Sequence, residues 1–511
     1  MLLEASKVAV GSIYLTMRNL LTTLIGAVGL ALLARAITQE DMGILAVLTL
    51  ITGLAQLISD FSLSPALSKY VAEQRGRGED YSAYFMAALT FKTMLTAIVS
   101  VTLATFSSNL ASAALKSPGL HGLIILAAVD VFFTSFTLTF NSLLLGAGLL
   151  ERMAICQVLS SLSRWIAVLI LVYNGYGIYG AVTGWIIGDL TGTIIYAAAS
   201  IRLIKIKRSM IGESMHLLPS LLNFSWPLLI SSLILFLSNW YDQALVMIFL
   251  PLESVGIYNV SYRAFSVLAG LSTALGQALF PYYGMTYGKG DHGAISSAIR
   301  RASRYTMIII FPLTLGLFAT ARPAITLFAG QQYEPGWSVL AIMSIFGLAY
   351  GIQPALSGIL MIYEKTKTVM LLNLLSILSS LLLLPIVAPL GLNGLAIIKG
   401  VSIVVTLALI MYFTSKVVRV EIDREAFLKT LISASIMAVV VFAVQHIYYS
   451  KFLLPLYVAV GATIYAAEIR ILKMIDSRDI DLLAKIIGER NAALISKLMG
   501  CDGGEKKELS R

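Results

Sequence analysis

"LARAITQEDMGILAV" runs from Leu33 to Val47, and "IFLPLESVGIYNV" runs from Ile248 to Val260. In both, a membrane-thick apolar segment ends, crosses a short turn holding an acid, and restarts on a glycine. Glu40 and Gly43 precede Glu253 and Gly256 by 213 residues, as Glu151 precedes Glu364. Gly177-x-x-Gly180 precedes Gly391-x-x-Gly394 by 214. Anchors at a nearly constant offset point to an internal duplication. Each copy holds six apolar spans, and an even number returns the chain to its starting side, so the halves share one orientation, related by an axis along the membrane normal.

The 511 residues are 58% hydrophobic and 13% charged, with a mean hydropathy of +0.86. Soluble chains carry about 25% charged residues, so most of this surface faces lipid or protein. A helix needs roughly 20 apolar residues to span the hydrocarbon core, and about fourteen such runs are legible, from 9–34 and 43–67 to 430–447 and 452–469. The expected fold is an all-α polytopic membrane protein: an N-lobe over 1–205, a C-lobe over 206–415, an extra helix pair over 416–472 and a cytoplasmic amphipathic tail over 473–511. The first run is too long and too arginine-interrupted for a secretory signal, and reads as a retained helix. Two cysteines, Cys156 and Cys501, and four scattered histidines form no disulfide or metal pattern, and no cofactor is expected.

Basic residues set the orientation. Of 37 Lys and Arg, 28 fall in the N-terminus, the even-numbered connections and the tail, three (Arg35, Lys116, Lys451) in odd-numbered connections, and six within spans. Both termini are therefore expected in the cytoplasm, at the cytoplasmic membrane. The net charge of +10 is an orientation signal, not a nucleic-acid footprint. Parallel six-helix halves make a substrate route at their interface the natural expectation, with alternating access by rocking. The connections are too short for a soluble catalytic domain, so an enzyme such as a saccharide polymerase is disfavoured.

The stretch "LLARAITQEDMGILAVLTLITGLAQLISDFSLSPALSKYVAE" resembles the first hairpin of polysaccharide-biosynthesis membrane proteins. These form the oligosaccharide-flippase branch of the multidrug/oligosaccharidyl-lipid/polysaccharide exporter superfamily. The similar features are Ala34-Arg35 before the Gln39-Glu40-Asp41-x-Gly43 turn, Asp60-Phe61-Ser62-Leu63, Ala66-Leu67, and the second hairpin at Glu253-x-x-Gly256. The resemblance covers about 1–415. It implies a two-lobed bundle that flips a lipid-linked saccharide to the outer leaflet, with membrane lipids, and glycan polymerases or glycosyltransferases, as partners. Fourteen helices are similar to the lipid II flippases, whereas many related polysaccharide flippases have twelve.

Ionisable groups inside a membrane are costly, roughly 2.5–3.5 kcal/mol each on insertion scales, so each is a functional candidate. The basic ones are Arg18, Lys92, Arg164, Arg263, Arg322 and Lys399; the acidic ones are Asp60, Asp130, Asp189 and Asp242. A lipid pyrophosphate calls for guanidinium groups, which match phosphate in forked geometry and keep their charge. Arg18, with Asn19 beside it, is the first candidate; the alternative is that it pairs with a neighbouring acid and holds the lobe together. Arg263 with Asp242, and Arg164 with Asp189, invite the same pairing. Asp130, Asp189 and Asp242 are candidates for coupling transport to protons or sodium. Gly180, Gly184, Gly188 and Gly192 lie four apart, a stripe suited to close helix packing or, alternatively, to a substrate groove. Trp240 and Tyr241 are placed either to stack on sugars or to sit in an interfacial aromatic belt. The competing function is a multidrug organic-cation/H⁺ or Na⁺ antiporter of the same superfamily. Such cargo wants carboxylates, whereas the first helix offers an arginine.

Overall fold

The computed structural model describes residues 2–205, 210–356 and 358–475. The expected amphipathic tail lies, from residue 476 onward, outside the described residues. Among the described residues there is no strand. Twelve segments are long and apolar enough to cross a membrane by length and composition. The expected count of fourteen is not confirmed. One of the twelve, Leu150–Leu203, contains two helices, and Thr366–Leu382 is apolar but only 17 residues long.

The chain divides into two compact units, Met1–Arg263 and Ala264–Arg511. The first holds α1 (Leu2–Ala36), α2 (Gln39–Asp60), α3 (Leu63–Arg77), α4 (Ser82–Thr105), α5 (Ser107–Ala114), α6 (His121–Gly146), α7 (Leu150–Leu171), α8 (Gly177–Ser200), α9 (Met210–Phe249) and the start of α10 (Leu252–Gly288). Both copies of the recurring hairpin therefore lie in it.

Thr38 opens α2 through a capping box: its Oγ1 accepts from the Asp41 amide at 3.1 Å, and the Asp41 carboxylate accepts from the Thr38 amide at 3.4 Å. This satisfies two donors that a helix start leaves orphaned. One turn on, the duplicated glycines meet. A Cβ at Gly43 would overlap the Leu252 carbonyl and stand 3.1 Å from the Gly256 nitrogen. A Cβ at Gly256 would overlap the Gln39 carbonyl and stand 2.9 Å from the Gly43 nitrogen. Gln39 and Leu252 are themselves 213 apart, so equivalent residues of the two copies make reciprocal contact. Only glycine lets the backbones approach so closely.

A second set of glycines seats α8 against α7. Cβ atoms at Gly184 and Gly192 would lie 2.5 Å from Val168 Cα and 3.2 Å from Ser160 Cβ, and one at Gly188 would collide with Arg164. As the α8 number rises by four the α7 number falls by four, so the two helices run antiparallel.

The second unit holds the rest of α10, α11 (His292–Ala319), α12 (Ala321–Ala329), α13 (Trp337–Phe346), the single turns α14 (Gln353–Leu356) and α15 (Ile359–Ile362), α16 (Thr366–Leu382), α17 (Val387–Ser415), α18 (Arg424–Ile447) and α19 (Leu454–Ile471). Its core gathers Met307, Phe311, Leu356, Met437, Tyr457 and Tyr465. The Tyr465 hydroxyl donates to the Ile308 carbonyl at 2.8 Å, and the Gln445 amide donates to the Ala319 carbonyl at 2.8 Å. These bonds pin α18 and α19 to α11.

Two glycines 214 residues apart share their backbone angles. Gly177 has φ 53°, ψ −138° and Gly391 has φ 52°, ψ −126°, a conformation a Cβ forbids. Gly177→Ala and Gly391→Ala are each expected to cost about 1–3 kcal/mol, read as a lower midpoint of thermal unfolding in detergent. Gly119→Ala, whose Cβ would meet nothing nearer than Ser117 Oγ at 3.9 Å, is the near-neutral control. Equal midpoints for all three would remove strain as the reason for glycine there.

Candidate polar seam of the first unit

Three helices of the first unit carry polar residues at helical spacing. These are Asp130, Thr134, Thr137 and Asn141 on α6; Gln157, Ser160 and Arg164 on α7; and Asp189, Thr193 and Tyr196 on α8. Steps of three and four keep each set on one face. α8 packs on both α6 and α7, and the three stripes meet as one seam.

At one end, Arg164 lies between two carboxylates. Its guanidinium is 3.5 Å from Asp189 Oδ2 and 3.9 Å from Asp130 Oδ2. The Arg164 side chain is 34% exposed, while those of Asp130 and Asp189 are 1% and 8% exposed. Trp185 lies under the guanidinium at 5.2 Å, a cation–π placement that holds it without using its donors. Thr134 Oγ1 donates to Asp189, whereas both Asp130 oxygens lack a hydrogen-bond partner among the described residues. In the middle, Thr137 and Thr193 share a hydroxyl contact at 3.0 Å. At the other end, the buried Tyr196 hydroxyl donates towards Gln157 Oε1 at 3.0 Å and Asn141 Oδ1 at 3.3 Å.

α1 packs on α7, where a Cβ at Gly29 would collide with the Trp165 ring. It carries Arg18 at the start of the apolar segment Met17–Ala36. The guanidinium bonds the Asn19 side-chain oxygen, Nη2 at 2.8 Å and Nε at 3.2 Å. Among the described residues no carboxylate stands within ion-pair distance of Arg18.

The remaining candidates are dispersed. Lys92, 1% exposed, pairs with Asp60 at 2.5 Å and donates to Ser64 at 3.0 Å. Asp242 is buried and accepts from the Tyr258 hydroxyl at 2.8 Å; beside it Asn259 donates to Gln243 at 3.1 Å. Arg263 is exposed, and Arg164 lies within its electrostatic reach. Trp240 stacks on Phe236 with centroids 5.8 Å apart, and Tyr241 is buried. Lys399 is buried in α17. Arg322 pairs with Glu334, its Nε 2.6 Å from Oε1. Arg35 and Glu40 at the first turn, and Glu253 at the second, are exposed.

Asp130 as a second partner of Arg164, the Lys92–Asp60 pair, and the Asn141–Gln157–Tyr196 cluster were not anticipated from sequence. The polar stripe on α6, with its steps of four, three and four, was the available signal.

Residues 8–287 match the family described as polysaccharide biosynthesis protein, more than half of the chain. Residues 227–386 match the MatE family. The chain is 21% identical over 462 residues to the probable low-salt glycan biosynthesis flippase Agl15 of Haloferax volcanii, covering 89% of this chain and 94% of that one. It is 23% identical over 316 residues to the succinoglycan biosynthesis transport protein ExoT of Rhizobium meliloti, 61% of each chain. Among solved structures it is similar to the lipid II flippase MurJ in an inward closed conformation, with a TM-score of 0.74 at 15% identity over 91% of this chain and 98% of that one. It is also similar to an inward-facing multidrug resistance MATE transporter, with a TM-score of 0.62 at 15% identity over 79% and 97%. The fold is that of this transporter superfamily.

Proposed function

This chain belongs to the polysaccharide biosynthesis protein family, and from that premise we propose that it is a flippase, not an enzyme. Its cargo is a polyprenyl phosphate- or pyrophosphate-linked oligosaccharide, moved across the cytoplasmic membrane for glycan assembly. Both termini face the cytoplasm, and glycan polymerases or glycosyltransferases act on either side of the step. The halves 1–205 and 206–415 are its repeats, and 416–472 is an added helix pair.

The observation that carries this reading is Arg18. A guanidinium in a membrane helix is expensive unless something neutralises it, and its only bonding partner among the described residues is a neutral amide. A lipid phosphate matches the guanidinium in charge and in forked geometry. Asn141, Gln157 and Tyr196, clustered at one end of the seam, supply neutral donors and acceptors of the kind that sugar hydroxyls use.

A second reading, export of organic cations, is favoured by the MatE match over 227–386. Reconstitution separates the two. Liposomes holding a fluorescent polyprenyl-pyrophosphate saccharide are treated with a membrane-impermeant quencher. Transfer dependent on the protein is expected, with no gradient-driven uptake of organic cations. Cation uptake without lipid transfer would replace the flippase by the antiporter.

A further inference from the structure

The cluster behind Arg164 holds two carboxylates within 4 Å of one guanidinium, with Arg263 of α10 farther off but within electrostatic reach of Arg164. With both acids ionised it would carry a net negative charge among apolar helices, which is costly, and one proton makes it neutral. The two acids are not equivalent. Asp189 has the shorter guanidinium contact, 3.5 Å, and the Thr134 hydroxyl. Asp130 is 1% exposed, stands 3.9 Å from the guanidinium, and has no donor on either carboxylate oxygen among the described residues, its neighbour being the Asp189 carboxylate.

Other charges on the helices packed against α6 are engaged elsewhere. Lys92 of α4 is spent on Asp60 of α2. At the other end of α2, Asp41 caps Thr38 and Glu40 is exposed. On α3, Arg75 bonds the Ala147 carbonyl, Arg77 pairs with Glu73, and Lys69 lies over the Tyr70 and Phe224 rings. On α7, Glu151 and Arg152 are exposed at the helix start. A metal cation is a poor alternative occupant: the guanidinium stands within 4 Å of both acids. No group of three or more metal-binding side chains occurs among the described residues.

We propose that Asp130 is a proton-binding site, linked through Arg164 to an anion held on the exposed side of that arginine. The linkage rests on the flippase reading; the proton site does not. An anionic headgroup and the two carboxylates compete for one guanidinium. A proton on Asp130 leaves Arg164 facing a single carboxylate charge, so the guanidinium attracts the anion more strongly. Conversely, an anion that draws Arg164 forward leaves the acids short of positive charge and favours the proton. Each ligand strengthens the other by the same factor.

The experiment uses the full chain in nanodiscs and has two arms. Infrared difference spectra between acidic and alkaline pH, without ligand, should show the C=O stretch of a protonated carboxyl, absent in Asp130→Asn. In the second arm, farnesyl pyrophosphate is titrated calorimetrically in buffers of different ionisation enthalpy, which counts protons taken up. Wild type should take up protons, with affinity falling by up to about tenfold per pH unit where one proton is linked. Asp130→Asn should bind with little proton uptake and a flatter pH dependence. A carboxyl band that survives in Asp130→Asn overturns the proton site. The band lost as expected, but binding without proton uptake, overturns the linkage and leaves the flippase reading intact. No binding at any pH overturns the anion reading and the linkage together, while the infrared arm still decides the proton site.

Discussion

Replacing Lys92 by methionine is expected to destabilise the protein by about 3–5 kcal/mol, the usual cost of breaking a buried ion pair from one side. Lys92 is 1% exposed and its partner Asp60 only 16%. The ammonium reaches Asp60 Oδ1 at 2.5 Å and Ser64 Oγ at 3.0 Å, and Ser64 in turn donates to Asp60 at 2.5 Å. The three groups span the gap between α2 and α3. There Phe61 and Ser62 take φ of 47° and 52°, a left-handed conformation that L-residues adopt at a cost. Methionine keeps the volume but leaves the carboxylate without a counter-charge beside a strained break. The double variant Lys92→Met/Asp60→Leu removes both charges and should recover most of the loss, because the desolvation of each ion vanishes with it. Thermal unfolding in detergent reads both. A single variant as stable as wild type would mean that the pair does not hold the break.

The second large effect concerns Arg18, and it has the opposite character. Arg18→Ala should leave stability almost unchanged, because no carboxylate among the described residues depends on it. Transfer of a pyrophosphate-linked saccharide should fall at least about thirtyfold, which corresponds to about 2 kcal/mol, the lower end for truncating one partner of a buried charge pair. Arg18→Lys keeps the charge but loses the fork, and an intermediate rate is expected. The comparison with Lys92 gives the test its force. Lys92 is ion-paired with protein and should show up in stability, while Arg18, whose guanidinium among the described residues bonds only the Asn19 amide, should show up in transport. Loss of folding in Arg18→Ala would assign it to the structural role instead.

Spacing made part of this legible in the sequence. Gly43 and Gly256 were anchors of the repeat, and they meet in the structure because both copies of the hairpin need a backbone approach that excludes Cβ. The stripe from Gly180 to Gly192 seats α8 on α7 for the same reason. The breaks were less legible. Phe61 and Ser62 are not residues that announce a left-handed turn, and the Lys92 contacts to Asp60 and Ser64 on its two sides are tertiary. Neither could pairing choose between partners. Arg164 and Asp189 lie on adjacent spans and were matched on that ground, but Asp130 faces the same guanidinium because α6 packs on α8 as well. Leu150–Leu203 holds two antiparallel helices, joined where Gly175 takes a left-handed φ of 90°.

If the Arg18 guanidinium in the first helix recognises the cargo's phosphate, the rate of transfer follows the charge of the cargo. Reconstituted wild type and Arg18→Ala would be offered the same saccharide on two lipids, a polyprenyl pyrophosphate and an uncharged polyprenyl ether. Wild type is expected to transfer the charged lipid much faster than the neutral one, and Arg18→Ala to remove most of this preference by slowing the charged lipid alone. Equal rates for both lipids in wild type, or an undiminished preference in Arg18→Ala, would contradict it.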